Sequence, residues 1–215
     1  MQGLILRLRE VLLAGHMLPY KLIYFNMRGR AELSRYILAY AQIPFKDQRV
    51  EWKDWPFVKS SFPLEQLPVL EMEGCLLNQS LAIARFLAKE AGLAGKDRLE
   101  EAQADALVDS LNDFTLCIPW REEDQKLKKE KIDKLFDCHA PKLLSFLEKH
   151  LEDRDWLVGD AVTWADLYWH VCFTTFTVLR PGFARHHQGL CTLINRVESI
   201  PQLARWIQNR PVSEF

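Results

Sequence analysis

The chain has 215 residues, 48% of them hydrophobic and 27% charged, enough to bury a core as one large domain or two small ones, and this argues against disorder. Lys and Arg number 28 against 29 for Asp and Glu, so the net charge of -1 offers no global attraction to nucleic acid or an anionic membrane. The cysteines Cys75, Cys117, Cys138, Cys172 and Cys191 are odd in number and lack C-x-x-C spacing, which fits reduced thiols in a cytoplasmic protein, and no stretch approaches the roughly 20 apolar residues that span a bilayer.

Leu4 to Leu13 is an apolar run broken by Arg7, Arg9 and Glu10, too charged for a secretory core. Residues 1–17 are therefore read as an upstream start or an extension outside the fold, with an amphipathic targeting helix as the alternative. Lys21 to Asn26 reads as a strand, Leu22 and Tyr24 facing one way and Ile23 and Phe25 the other. A turn at Arg28-Gly29-Arg30 leads to a helix over Ala31–Gln42, where Leu33, Ile37, Tyr40 and Ala41 recur at helical spacing and Pro44 marks the exit. Phe45 to Val50 is the second strand. The pattern is irregular from Glu51 to Pro63, then Val69–Met72 and Cys75–Leu77 form a hairpin about Glu73-Gly74. Ser80 stands where an N-cap is expected, ahead of the helical run Ala82–Ala88.

After Gly92 only helical periodicity follows, so a boundary is placed between residues 18–97, an α/β domain, and residues 98–215, an all-helical domain. Long helices are expected over Leu99–Trp120 and Lys126–Leu151, the second kinked or broken at Pro141. Thr163-Trp164-Ala165-Asp166 has capping-box chemistry, with Asp replacing the usual Glu, before a helix to about Val178. The charge run Glu122–Lys134 interleaves acidic residues with its lysines and reads as a solvated helix face rather than a nucleic-acid stripe.

Tyr20-Lys21-Leu22-Ile23-Tyr24-Phe25-Asn26-Met27-Arg28-Gly29-Arg30-Ala31-Glu32, Leu67-Pro68-Val69-Leu70 and Asn78-Gln79-Ser80-Leu81-Ala82-Ile83 together closely resemble the glutathione-binding half of sigma-class glutathione transferases. The resemblance runs from about Met17 to Val212 and includes Asp54-Trp55-Pro56 and Val162-Thr163-Trp164-Ala165-Asp166. Within the class the chain looks most like the prostaglandin-isomerising members. The resemblance implies a thioredoxin-like α/β N-terminal domain followed by an all-α domain, a homodimer, and glutathione as cofactor. It also implies prostaglandin H2, isomerised to prostaglandin D2, or another hydrophobic electrophile as second substrate. General conjugation for detoxification is the alternative. A non-catalytic crystallin-like structural protein is a third reading, disfavoured by the short Arg121–Gln125 connection and the retained Tyr24.

By resemblance, Tyr24 donates a hydrogen bond that keeps the glutathione sulfur ionised, a task that matters because a free thiol near pKa 8.5 is only a few per cent thiolate at neutral pH. On strand composition alone it reads as a core aromatic. Arg30 supports the tyrosine and lends positive potential, or is a surface arginine. Gln79 and Ser80 match positions at a helix N-terminus suited to the γ-glutamyl carboxylate. Leu67-Pro68 resembles a cis-proline turn that presents the Leu67 backbone to the cysteinyl part, Trp55 and Lys59 match positions at the glycine end, and Asp113 belongs to the same glutathione-binding set. Gln66 stands where close relatives carry lysine, so one favourable charge is missing. Met27, Gly29, Trp120, Tyr168, Cys172 and Thr175 match positions lining the second-substrate cleft, although Tyr168 and Cys172 also fit an i, i+4 core stripe. Asp109, Asn112 and Asp113 match an acidic cluster at a dimer axis. Asn112 removes a carboxylate there, so activation by magnesium or calcium is expected to be weak or absent.

Overall fold

The computed structural model describes residues 20–213 and 215, and the expected extension at residues 1–17 lies outside them. The chain forms two compact units, one running to Gly92 and including Gln208–Phe215, the other Leu93–Ile207.

In the first unit a four-stranded sheet has the order β2-β1-β3-β4. β1 is Tyr20–Phe25, β2 Phe45–Val50, β3 Val69–Met72 and β4 Cys75–Asn78. β1 runs parallel to β2, in register from Tyr20 against Phe45 to Phe25 against Val50, and antiparallel to β3. Leu22, Ile23 and Tyr24 are all buried, although successive side chains point to opposite faces, because an inner strand is covered on both sides. Parallel neighbours need a crossover. A 3-10 turn, Gly29–Ala31, and helix α1, Glu32–Tyr40, supply it. This helix is shorter at both ends than the expected Ala31–Gln42. It buries Leu33, Tyr36, Ile37 and Leu38, and with them the charged Glu32 and Arg35.

The irregular stretch folds as α2, Trp55–Val58, and two 3-10 turns, Lys59–Ser61 and Pro63–Glu65. Pro56 sits in the first turn of α2, where a missing N–H leaves no bond unmade. Rings replace ladder bonds here: Trp52 stacks on Phe25 at 3.8 Å between centroids, and Trp55 stacks on Phe62 at 5.9 Å.

The β3–β4 hairpin closes through Glu73 and Gly74, and helix α3 spans Ser80–Ala91. One expectation is corrected: Ser80 is the first helical residue, and the cap position belongs to Gln79, at φ 72°, without a side-chain cap bond. With β4 ending at Asn78, the reversal from strand to helix is concentrated in Gln79. α3 stops at Gly92, whose left-handed backbone, φ 71°, lets its N–H reach the carbonyls of Ala88 and Lys89.

The regular elements of the second unit are helices: α4 Arg98–Leu116, α5 Gln125–Cys138, α6 Ala140–His150, α7 Trp164–Leu179 and α8 Gln188–Glu198, with α9, Pro201–Asn209, following. Asp97 and Asp124 cap α4 and α5, each accepting two backbone N–H bonds. α4 ends before Trp120, short of the expected limit, and the expected Lys126–Leu151 helix is two helices meeting at His139, with Pro141 in the first turn of α6. Phe114, Phe136, Phe176 and Phe183 form an edge-to-face core, with centroids 5.3 to 5.8 Å apart along the chain of contacts Phe114–Phe136, Phe136–Phe176 and Phe176–Phe183. Lys129 pairs with Asp133 and Lys131 with Glu122 on the exposed face of α5, as expected of a solvated charge run. Among the described residues no helix is long and apolar enough to cross a membrane.

Candidate functional site

Tyr24 is 7% exposed, near the end of the inner strand β1. Its phenolic oxygen accepts a hydrogen bond of 3.2 Å from the Arg30 backbone N–H, which leaves its own O–H to donate. Burial pushes the phenol upward, while the Arg30 N–H and the positive charges of Arg30 and Arg35 pull it down. The net rise keeps Tyr24 protonated at neutral pH. Close approach of the turn requires Gly29: a Cβ there would lie 2.7 Å from the Tyr24 hydroxyl, and its φ of +41° disfavours side chains.

Beside this turn, Arg30, Gln66, Leu67, Pro68, Asn78, Gln79 and Ser80 line a small, partly open cleft. The Leu67–Pro68 peptide bond is cis. Leu67 lies just outside the ladder, which begins at Val69 paired with Asn78. The lining also includes the N-terminus of the twelve-residue α3, whose first N–H groups have no partner within the helix. Gln79 holds an uncommon positive φ for a non-glycine residue there. An extended peptide bearing a carboxylate matches these features.

Trp55 and Lys59 do not line the cleft. Trp55 packs among aromatic rings, and Lys59 pairs with Glu65 at 3.0 Å with both side chains about half exposed. Met27 is half-buried in the turn after β1. In the second unit, Tyr168, Cys172 and Thr175 share one face of α7, and Trp120 is 42% exposed beyond the end of α4. Cys172 is buried, and its thiol, 3.8 Å from the Thr115 hydroxyl, is pushed up to about 12 by desolvation, so it is no nucleophile. Asp109 and Asp113 are exposed on α4 and Asn112 is half-buried. Among the described residues no group of three or more His, Cys, Asp or Glu side chains could hold a metal ion.

Two groups at the site escaped sequence reasoning. Asn78 joins the cleft lining, and Arg35, fully buried, donates to the carbonyls of Met27 and Arg28 in the turn that carries Gly29 and Arg30. Arginine and serine inside the otherwise apolar run of α1 were the available signal.

Residues 20–89 match the glutathione S-transferase N-terminal domain and residues 113–210 the glutathione S-transferase C-terminal domain, and the chain belongs to the glutathione S-transferase family. It is 50% identical to the hematopoietic prostaglandin D synthase of Mus musculus over 91% of this chain and 98% of that one. Glutathione S-transferase 1 of Ascaris suum is 38% identical over 91% and 98% of the two chains. The structure of rat hPGDS complexed with a quinoline superposes with a TM-score of 0.88 at 49% identity, covering 91% of this chain and 99% of that one.

Proposed function

We propose that the chain is a glutathione-dependent enzyme that isomerises prostaglandin H2 to prostaglandin D2 and also conjugates glutathione to electrophiles. The observation that carries the chemistry is the Tyr24 hydroxyl, fixed by the Arg30 N–H at 3.2 Å next to a cleft whose lining includes a helix N-terminus. The choice of prostaglandin is supported by the 50% identity to a synthase of that name. General conjugation is the second reading, supported by the 38% identity to a relative named as a transferase. A purely structural, crystallin-like role has less support, since it gives the buried hydroxyl nothing to do.

Bound glutathione supplies a thiol that, once ionised, is the nucleophile. In the proposal the α3 N-terminus, with Gln79 and Ser80, holds the γ-glutamyl carboxylate through backbone N–H groups and the helix dipole. The Leu67 backbone pairs with the cysteinyl unit as a short strand would. Lys59 turns from Glu65 to the glycine carboxylate, an exchange that costs little because an exposed ion pair contributes only about 0–1 kcal/mol. Tyr24 donates its O–H to the sulfur, which favours the anion and lowers the thiol pKa, and Arg30 adds a fixed positive charge. The α7 face of Tyr168, Cys172 and Thr175 meets the apolar second substrate.

Residues 18–97 are proposed as the glutathione-binding domain and residues 98–215 as the domain that selects the second substrate, in a cytoplasmic homodimer. Prostaglandin H2 and an aromatic halide, each supplied with glutathione to the purified protein, test the reading. Formation of prostaglandin D2 above the uncatalysed background is expected. Conjugation alone supports the second reading, and inactivity on both substrates overturns both.

Two further outcomes are expected. Gly29→Ala places a methyl against the Tyr24 hydroxyl, so glutathione-dependent turnover should fall by roughly tenfold or more, a typical loss for a displaced reacting group. Magnesium or calcium titrated into the wild type should leave turnover nearly unchanged, whereas Asn112→Asp should acquire activation. Strong millimolar activation of the wild type would contradict the role given to Asn112.

A further inference from the structure

Within the first unit, the chain's last residues return to the turn that follows β1. The Arg28 N–H donates to the Phe215 carbonyl at 2.8 Å and to the Ser213 hydroxyl at 3.3 Å. Arg210 points a guanidinium inward, its side chain 14% exposed. Its Nη1 donates to Glu32 Oε1 at 2.8 Å and to the Tyr36 hydroxyl at 3.1 Å, and its guanidinium carbon lies 5.8 Å from the Tyr36 ring centroid.

Glu32 has a second neighbour. Its Oε2 accepts from Arg35 Nη1 at 3.1 Å, with Glu32 1% and Arg35 0% exposed. The same Nη1 donates to the Met27 carbonyl at 2.7 Å and the Arg28 carbonyl at 3.3 Å, and Arg35 Nε donates to Asp47 at 3.1 Å. The Arg35 guanidinium carbon is 6.0 Å from the Tyr24 ring centroid. One residue beyond Arg28 is Gly29, and the next N–H, that of Arg30, is the donor on the Tyr24 oxygen.

We propose that Arg210 is a positioning residue for the Tyr24 hydroxyl, acting through Glu32 and Arg35 on the Met27–Arg30 turn. The proposal rests on the reading of Tyr24 as the donor to the glutathione sulfur. A buried Arg–Glu–Arg triad contributes little stability beyond what an apolar core of the same volume would give, because desolvation of three charges offsets their attraction. Its charge-assisted bonds are directional, so it fixes where the atoms at its ends sit. Glu32 held from both sides cannot rotate away from Arg35, and Arg35 in turn fixes two consecutive carbonyls of the turn. The charged and titratable groups around the relay are Glu32, Tyr36 and Arg28 at Arg210, Glu32 and Asp47 at Arg35, and Arg30 and Arg35 at Tyr24. Loss of the Arg210 cation loosens Glu32, lets Arg35 follow it, and frees the turn to carry the Arg30 N–H away from the phenol.

The thiol of bound glutathione, titrated through its thiolate absorbance in wild type, Arg210→Gln, Arg210→Lys and Tyr24→Phe, tests this relay. Arg210→Gln is expected to raise the thiol pKa by about one unit, which is tenfold less thiolate below the transition. Neutral-pH kcat should drop by roughly tenfold with KM for glutathione within about threefold, because the γ-glutamyl contacts lie elsewhere. Arg210→Lys, which keeps the charge on Glu32, should recover most of the loss. A wild-type thiol pKa in Arg210→Gln, whether or not its thermal midpoint falls, overturns the proposal and leaves Arg210 as an anchor of the terminal segment. If Arg210→Gln does not fold, Arg210→Met, which keeps an unbranched side chain but removes the cation, decides in its place: a raised thiol pKa supports the relay and an unshifted pKa overturns it. Tyr24→Phe with an unshifted thiol pKa would remove the functional reading and the relay together, whereas a shift in Tyr24→Phe but not in the Arg210 variant that lacks the cation removes the relay only.

Discussion

Tyr24→Phe is expected to lower glutathione-dependent turnover by roughly a hundredfold, the scale for loss of one preorganised donor to a developing anion. The ring remains, so its packing against Phe25 at 5.6 Å between centroids survives, and glutathione affinity should stay within a few fold. The hydroxyl is lost, and with it the bond that favours ionised sulfur and the acceptor for the Arg30 N–H. The defect therefore has a pH signature. It should be greatest below the wild-type thiol transition and shrink as the pH rises toward the free-thiol value near 8.5, where sulfur ionises unaided. Stopped-flow turnover across that range in wild type and variant measures it. Equal turnover at neutral pH would remove Tyr24 from the mechanism.

The strands were legible because they are written in short local patterns: β2 and β3 fall where expected, and Pro141 marked the break between α5 and α6, whereas α1 and α4 are shorter than helical spacing suggested and α2, α8 and α9 had no expected limits. The capping position at α3 was not legible. Serine is a favoured cap, and nothing local reveals that Gln79 would take a positive φ and push Ser80 into the helix. Tyr24 illustrates a different limit. Its alternation pattern is that of any core strand, and only the flanking Arg28-Gly29-Arg30 turn, brought close by a glycine without a Cβ, makes its hydroxyl a candidate donor. The Glu32–Arg210 pair joins residues 178 positions apart, and no periodicity links such partners. A helix reading of Glu32, Arg35 and Tyr36 places them at i, i+3 and i+4, on one face. It does not say that this face is buried or that a cation from the far end of the chain completes it.

In the second unit the largest expected effect on stability belongs to Asp166. Its carboxylate is fully buried in the capping box of α7, accepting from the Leu157 N–H at 2.8 Å, the Thr163 N–H at 2.7 Å and the Thr163 hydroxyl at 3.0 Å. Asp166→Ala leaves these donors buried without an acceptor and removes the reciprocal half of the box. The expected cost is about 2–4 kcal/mol, combining a lost cap with unsatisfied buried donors. Desolvation pushes the Asp166 carboxyl from 3.8 up to about 6, against the pull of the Leu157 and Thr163 donors. A folded-state pKa above the unfolded one means that the folded state binds the proton more tightly. This linked stabilisation is complete below the unfolded value and is lost as pH rises through about 6. Asp166 therefore behaves oppositely to carboxylates held in ion pairs, whose contribution fades in acid. The stability gap between wild type and Asp166→Ala, read from urea unfolding, should widen as the pH is lowered from 7 to 5. A gap that narrows over that interval would mean that the hydrogen bonds from Leu157 and Thr163 outweigh burial and hold this carboxylate below its ordinary value.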